Sequence, residues 1–337
     1  MTIRLALIAW PLIALSLRMA GLSAPPPRPD PFGFLEPAIQ LSDEDRRRID
    51  ERGIIVKILP ADGHELATLV TGSLTVGHDA LLASARNIVE LKKSALVPQV
   101  GRFSSEPRLE DVRELTLDDV DVNEIRRCRP QRCGLKLAPD EIARLHQALS
   151  AHPEDSKAAL NVEFRRIMVA RAAEYLHHGD RRTQREFSAL IEHSPKVDAW
   201  IPRLETHLER YPSAPLAGAE SFLYWSKETY AWKPMISITH VTMVRASGEG
   251  GAPDVVIASR DVFVTRYTSG SFVLTLLFPG DTDASRWHLV YLNRTWVDGL
   301  RGQWRPFVEH RVKSQARKVF ADTRGRIERH RAVAASK

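Results

Sequence analysis

Hydrophobic and polar side chains alternate with a period of two through the second half of the chain, which predicts a run of antiparallel strands. β-branched and aromatic residues are abundant in this region, as is typical of strands, and turn-forming residues such as Thr-Ser-Gly interrupt it. The predicted strands cover residues 221–233, 235–245, 255–267, 271–278 and 287–296.

The period changes after residue 304, where hydrophobic residues recur at helical spacing. The pattern predicts one long helix over 305–326 with a single apolar stripe. Five antiparallel strands that close onto this helix would grip it and leave room for a ligand between sheet and helix. The stripe consists of Val308, Val312, Ala316, Val319 and Phe320.

The N-terminal half alternates between strand and helix signals. Ser42 and Asp79 are typical N-caps and mark the starts of two helices. Turn chemistry at Pro-Ala-Asp-Gly separates two strand patterns, which predicts a hairpin. The predicted elements are a helix over 41–53, strands over 54–59 and 65–76, a helix over 80–93 and a strand over 97–104.

This order of elements is similar to the START-like (SRPBCC, helix-grip) superfamily: a strand hairpin, a short helix opening with TVGHDALLASARNI, a strand, later strands and a long C-terminal helix. The resemblance covers 54–104 and 221–318 and is one of pattern, since the superfamily has no diagnostic short motif. It implies an α+β fold with a helix-grip-like curved antiparallel sheet packed on the C-terminal helix. A hydrophobic pocket would lie between the sheet and that helix.

An all-helical insertion, with helical periodicity in several segments, interrupts the resemblance. It could cover one mouth of the sheet as a lid, form a docking surface, or serve as structural padding. The predicted organisation is a signal peptide at 1–23, a Pro-rich linker at 24–40, a first core part at 41–104, the helical insertion at 105–220, a second core part with the C-terminal helix at 221–326, and a disordered basic tail at 327–337.

The first residues predict export. Arg4 precedes an apolar run over 5–17, and Gly-Leu-Ser at 21–23 fits a small-x-small cleavage site. The run is shorter than the ~20 residues that a transmembrane helix needs. We therefore expect a periplasmic protein, with anchoring by an uncleaved signal segment as the alternative.

Cys128 and Cys133 are the two cysteines of the chain, in RRCRPQRCG. In an oxidising compartment this spacing favours a short disulfide loop. Neither cysteine has a His or a second Cys pair at zinc-ligand spacing, and the pair is not Cys-x-x-Cys. We expect no metal and no cofactor.

The sequence contains no nucleophile, zinc-protease or phosphate-binding motif. The candidate ligand-binding residues are instead polar or aromatic positions inside the predicted strands: Tyr224, Trp225, Glu228, His240 and Arg294. They would form the wall and polar anchor of an apolar pocket. The alternative is that they are ordinary core aromatics and satisfied buried pairs.

These features predict a non-catalytic binding protein that sequesters or transfers a hydrophobic small molecule, in particular a lipid. One alternative is an enzyme on the same scaffold that uses Glu228 and His240 as an acid–base pair. Another is an envelope structural or interaction protein whose core is filled. The net charge is +6, and the cations of the C-terminal helix would suit an anionic membrane surface. Nucleic acid is not an expected partner of an exported protein.

Overall fold

Eight strands form one antiparallel sheet in the part of the chain that the structure describes, in the order β1-β2-β8-β7-β6-β5-β4-β3. They are β1 (Ile54–Leu59), β2 (Glu65–Leu74), β3 (Gln99–Arg102), β4 (Glu220–Glu228), β5 (Met235–Arg245), β6 (Val255–Val264), β7 (Thr268–Pro279) and β8 (Trp287–Val297). The structure is a computed structural model, and it describes residues 32–36, 39–61, 63–179, 182–229, 232–246, 252–280, 286–300, 302 and 304–334.

The helices begin where the sequence supplies caps or helix-compatible first residues. Ser42 Oγ accepts from the Asp45 amide at 3.1 Å, and the Asp45 carboxylate accepts from the Ser42 amide at 3.2 Å, which forms a capping box. Pro139 occupies the first turn of its helix. The helices are α1 (Asp43–Asp50), α2 (His78–Arg86), α3 (Ile88–Lys92), α4 (Asp119–Arg127), α5 (Pro139–Ala151), α6 (Ser156–His178), α7 (Gln184–Glu192), α8 (Leu204–Arg210) and α9 (Trp304–Ala334).

The sheet has two differently covered faces. One face, which we call the insertion face, packs against α1 and against α4 to α8. The other, which we call the α9 face, is turned toward α2, α3 and α9. Strand alternation sends neighbouring residues to opposite faces, so Tyr224 lies on the α9 face and Trp225 on the insertion face. The fold is therefore mixed α+β, as predicted.

The insertion is helical, and it covers the face away from α9. Its buried side chains, such as Phe164 of α6 and Phe187 of α7, join the hydrophobic clusters of the insertion face. Among the described residues, none between α3 and β4 lines the space under α9. The lid interpretation is therefore wrong, because these helices pack on the far side of the sheet.

The C-terminal helix forms as predicted but differs in extent and packing. It continues to Ala334, past the predicted end at residue 326, and Ile327 is buried in the core. The tail predicted to be disordered is therefore helical through residue 334. Within the stripe, Phe320 is buried, whereas Val312 and its apolar neighbours are half-buried.

The helix predicted over 80–93 is divided into α2 and α3 at Asn87. It begins one residue before Asp79, with Gly77 as N-cap. Arg102 of β3 donates to the Arg86 carbonyl at 3.0 Å, next to this break. The two short helices lie against the same face of the sheet as α9.

Cys128 and Cys133 are joined by a disulfide directly after α4, as the spacing predicted. None of the described helices is long and apolar enough to span a membrane. The predicted signal peptide and most of the predicted linker lie outside the described residues.

Candidate functional site

A cavity of about 600 Å³ lies between the α9 face of the sheet and α2, α3 and α9. It exists because the first half of α9 spans the sheet without packing tightly onto it, while Phe320 and Ile327 anchor the second half. The helix contributes a single face to the cavity, at spacings of three and four residues. These helix residues are Val308, Arg311, Val312, Gln315, Ala316 and Val319.

The wall opposite α9 is formed by alternate residues of six strands. Its lining combines apolar side chains, such as Leu66 and Val70 of β2, with polar side chains, most of which carry hydroxyl groups. Apolar walls with a few convergent polar groups are typical of small-molecule sites.

A β-bulge in β6 marks the end of its cavity-facing side chains. Ile238 of β5 is paired with Phe263, and the next residue, Thr239, is paired with Asp261, so Val262 is an extra residue in β6. Asp261 faces the cavity by the same alternation as Ile257 and Ser259. The bulge then reverses the alternation, so Phe263, two residues later, faces the insertion.

Asp261 is the acidic centre of the cavity's polar side. Its carboxylate accepts from Thr239 Oγ1 at 3.0 Å and from Ser271 Oγ at 2.5 Å. No described cation lies within ion-pair distance of it, and Lys92 acts on it only at longer range. Burial raises the pKa of Asp261 to about 6, because desolvation outweighs the two hydrogen bonds.

Glu228, the second carboxylate, is paired. Its Oε1 accepts from Ser226 Oγ at 2.9 Å and lies 3.3 Å from Lys92 Nζ of α3. Lys92 Nζ also lies 5.6 Å from the centre of the Tyr224 ring. Burial raises the pKa of Tyr224, so this phenol stays protonated at neutral pH. Among the described residues, this side of the cavity thus holds two carboxylates and one ammonium.

Of the five candidate ligand-binding residues, the structure places Tyr224 and Glu228 in the cavity wall and the other three on the insertion face. Trp225 is buried against the insertion, and its Nε1 donates to the Asp111 carbonyl at 2.7 Å. The interpretation of Trp225 as a wall of the ligand pocket is wrong, because it points to the opposite side from Tyr224.

His240 is buried in an aromatic cluster of the insertion face. Its Nδ1 is 2.8 Å from the Tyr175 hydroxyl, and its ring centre is 4.2 Å from that of Tyr211. Burial lowers the pKa of His240 to about 3, with further lowering by Arg260 and His207. A neutral, enclosed imidazole of this kind is a structural group, and the head-group role predicted for it does not fit its position.

Arg294 also lies on the insertion face. It forms an ion pair with the buried Glu65, which in turn accepts from His193 Nδ1 at 2.8 Å. The predicted role of Arg294 as a ligand anchor is therefore wrong, because the side chain points away from the cavity. As expected for a buried arginine, it is paired with a carboxylate.

Glu228 and His240 cannot act as an acid–base pair. Glu228 is paired in register with Met235, and His240 with Leu223, and the two pairs point to opposite sides of the sheet. The predicted contact across the hairpin of β4 and β5 does not occur. The register places the two residues an odd number of positions apart, and such positions point to opposite faces of a sheet.

An exposed aromatic cluster borders the cavity where α9 begins. Trp232, Trp304 and Phe307 are 75%, 62% and 47% exposed. The Phe307 ring centre is 6.4 Å from that of Trp232 and 6.3 Å from that of Trp304. Trp232 and Phe307 also line the cavity, so the cluster is continuous with its interior. We call these three residues the aromatic mouth.

The sequence reasoning missed Asp261 and Lys92. Asp261 carried a usable signal, since it is an acidic residue inside VVIASRDVFV, a strand pattern whose only other polar residues are Ser259 and Arg260. Lys92 carried none, because a lysine near a helix end is ordinarily solvated.

No group of His, Cys, Asp and Glu side chains within the described ranges is arranged to hold a metal ion. Comparison with known proteins gives no relatives: no family model, no curated protein and no solved structure matches the chain. The function must therefore be inferred from the cavity itself.

Proposed function

We propose that this protein binds a hydrophobic small molecule, in particular a lipid, and sequesters or transfers it without chemical change. The observation that carries the proposal is the cavity of about 600 Å³ between the sheet and α9. Its volume falls within the ~300–1,000 Å³ range of small-molecule sites. Burial of the ligand's apolar surface would supply most of the affinity, at ~25 cal/mol per Å².

The suspected START-like resemblance supports the same proposal. The hairpin, the two short helices, the further antiparallel strands and the long C-terminal helix follow one another in the order that the resemblance implies. The cavity also lies where that superfamily has its pocket, between sheet and C-terminal helix. Membership in the superfamily is part of the proposal.

The two rival functions have less support. An acid–base enzyme built on Glu228 and His240 lacks the contact that it needs, since the two lie on opposite faces. A structural protein with a filled core would have packed α9 onto the sheet, whereas Val308 and Val312 are half-buried around open space.

We also propose that the aromatic mouth rests on an anionic membrane, from which the ligand enters. Trp side chains favour the membrane–water interface. Exposed cations of α9, including Lys313, Arg317 and Lys318, follow the mouth along the same helix, and each cation near an anionic surface contributes ~1 kcal/mol. The disulfide fits a periplasmic location, and export remains a prediction.

The test is native mass spectrometry of the protein purified without detergent after expression in a bacterial periplasm. We expect a species heavier than the polypeptide that releases a lipid or other apolar molecule on solvent extraction. A single ligand-free mass, together with no binding across a broad lipid panel, would contradict the proposal.

A further inference from the structure

The polar groups of the cavity indicate which chemical class of ligand it takes. The polar side of the cavity holds Asp261 and Glu228, and Lys92, the one lysine among the described lining residues, has its Nζ 3.3 Å from Glu228 Oε1. That pair is close to neutral. Asp261 is left with two hydroxyl donors and, among the described residues, no cation at ion-pair distance.

A carboxylate removed from water without a counterion is unfavourable unless it is protonated or meets a positive group. Asp261 lies on a central strand, between Thr239 of β5 and Ser271 of β7. Both hydroxyl groups donate their hydrogens to the Asp261 carboxylate. Each carboxylate oxygen has further acceptor capacity, and the side chain faces the open space under α9.

Resting on the proposed function, we propose that the ligand is an apolar molecule with a cationic nitrogen, such as a primary amine, and that Asp261 receives this nitrogen. The ammonium would donate to the Asp261 carboxylate while the apolar body lies along Val312, Ala316 and the apolar strand residues. Charge-assisted hydrogen bonds of this kind are stronger than neutral ones.

Other charged or titratable groups face the cavity and modulate this preference. Lys92 is offset by Glu228, and the pKa of Tyr224 is raised, so neither favours an anionic head group. Arg311 of α9 is exposed to solvent and also lines the cavity. The groups that face the cavity, by element, are Lys92 of α3, Tyr224 and Glu228 of β4, Tyr267 after β6 and Arg311 of α9.

The test uses three unbranched ten-carbon probes that differ in their head group: decylamine, decanol and decanoate. Each displaces an environment-sensitive apolar dye from the full-length protein at pH 7.5. We expect decylamine to bind tightest and decanoate weakest. Asp261→Asn should weaken decylamine about tenfold or more and decanol less than threefold, since it removes one charge and keeps the side-chain shape.

Asp140→Asn is the matched control, because Asp140 is an exposed aspartate at the start of α5, on the other side of the sheet. It should leave all three affinities unchanged. A pH series adds a second readout. The affinity for decylamine should fall as the pH drops below about 6, where Asp261 becomes protonated, while decanol binding stays constant.

The outcomes separate the two proposals. If decanol binds but decylamine has no advantage, or if the advantage persists in Asp261→Asn of unchanged melting temperature, the amine proposal is overturned and the carrier proposal stands. If neither the dye nor any probe binds the wild-type protein, both are overturned.

Discussion

The two faces of the sheet are made from the same strands but have opposite roles. On the insertion face, Trp225, His240 and Arg294 are buried and hydrogen-bonded to partners from the helices or the sheet. On the α9 face, the helix stripe is half-buried and encloses about 600 Å³. The difference favours a division in which the insertion face supplies most of the stability and the α9 face takes the proposed ligand.

Burial acts on the ionisable groups of both faces, with opposite results. It lowers the pKa of His240 to about 3 and raises that of Asp261 to about 6, because in each case the charged form loses hydration. His240 has its neutral partners in place. Asp261 has an open space in front of it, and this contrast separates a structural group from a candidate binding group.

The largest expected difference between the faces is at neighbouring residues of β4. Trp225→Ala should lower the free energy of unfolding by ~3–5 kcal/mol, because it opens a void in a packed core and leaves the Asp111 carbonyl without its donor. Tyr224→Ala should cost less stability, since its ring already borders a cavity, and should weaken ligand binding more. Denaturant unfolding and dye titration of both variants measure this. Equal losses of stability would contradict the distinction.

A second comparison adds volume at neighbouring residues of β6. Ala258 is buried on the insertion face, so Ala258→Phe should overpack the core and destabilise by the upper part of ~1–3 kcal/mol. Ser259 faces the cavity, so Ser259→Phe should fill open space with little change in melting temperature. Thermal unfolding followed by circular dichroism is the measurement. A destabilised Ser259→Phe would show that the cavity is already occupied by protein.

The third comparison is of pH dependence. His240 has a folded pKa near 3, below the unfolded value of about 6.5, so its contribution to stability is present above pH 6.5 and is lost as the pH falls toward 3. The pKa of Asp261 is raised, so its contribution to stability has the opposite pH dependence. That contribution is present at low pH and is lost as the pH rises from 3.8 to about 6. The difference in unfolding free energy between wild type and His240→Asn isolates the histidine, and it should shrink by about 2 kcal/mol from pH 7 to pH 5. A difference independent of pH would contradict a buried neutral His240.

The smallest expected effect is at the aromatic mouth. Trp232→Ala combined with Trp304→Ala should weaken binding to anionic vesicles severalfold, because two side chains that favour the membrane–water interface are lost. Leu109→Ala is the control, because Leu109 is exposed to a similar extent as Phe307 but lies in the insertion. Vesicle sedimentation at low and high salt measures the affinities. Equal binding by the wild type and both variants would contradict membrane docking through the mouth.

Much of the fold could be predicted from alternation alone. The strands from residue 221 onward and the long helix after residue 304 follow directly from hydrophobic periodicity. The same pattern correctly places Tyr224 and Trp225 on opposite faces of the sheet. It could not decide which set faces a cavity, because both faces of β4 are rich in buried residues. Trp225 and His240 were misplaced for this reason.

The functional side was harder to predict because it depends on non-local geometry. The bulge that turns Phe263 away from the cavity, two residues after Asp261, arises from the pairing of β5 with β6 and has no signature in the sequence of β6. The distance between Lys92 and Glu228 depends on how α3 is placed on the sheet. Single-residue patterns do not contain that information.

Dye titration of wild type and Ser259→Phe tests most directly whether the space between the sheet and α9 is a ligand site. If it is, one apolar dye should bind saturably to each wild-type chain. Ser259→Phe should bind the dye at least about tenfold more weakly at an unchanged melting temperature, since the added ring occupies the site. Equal binding by the two proteins, or no binding by the wild type, would contradict a ligand site in this space.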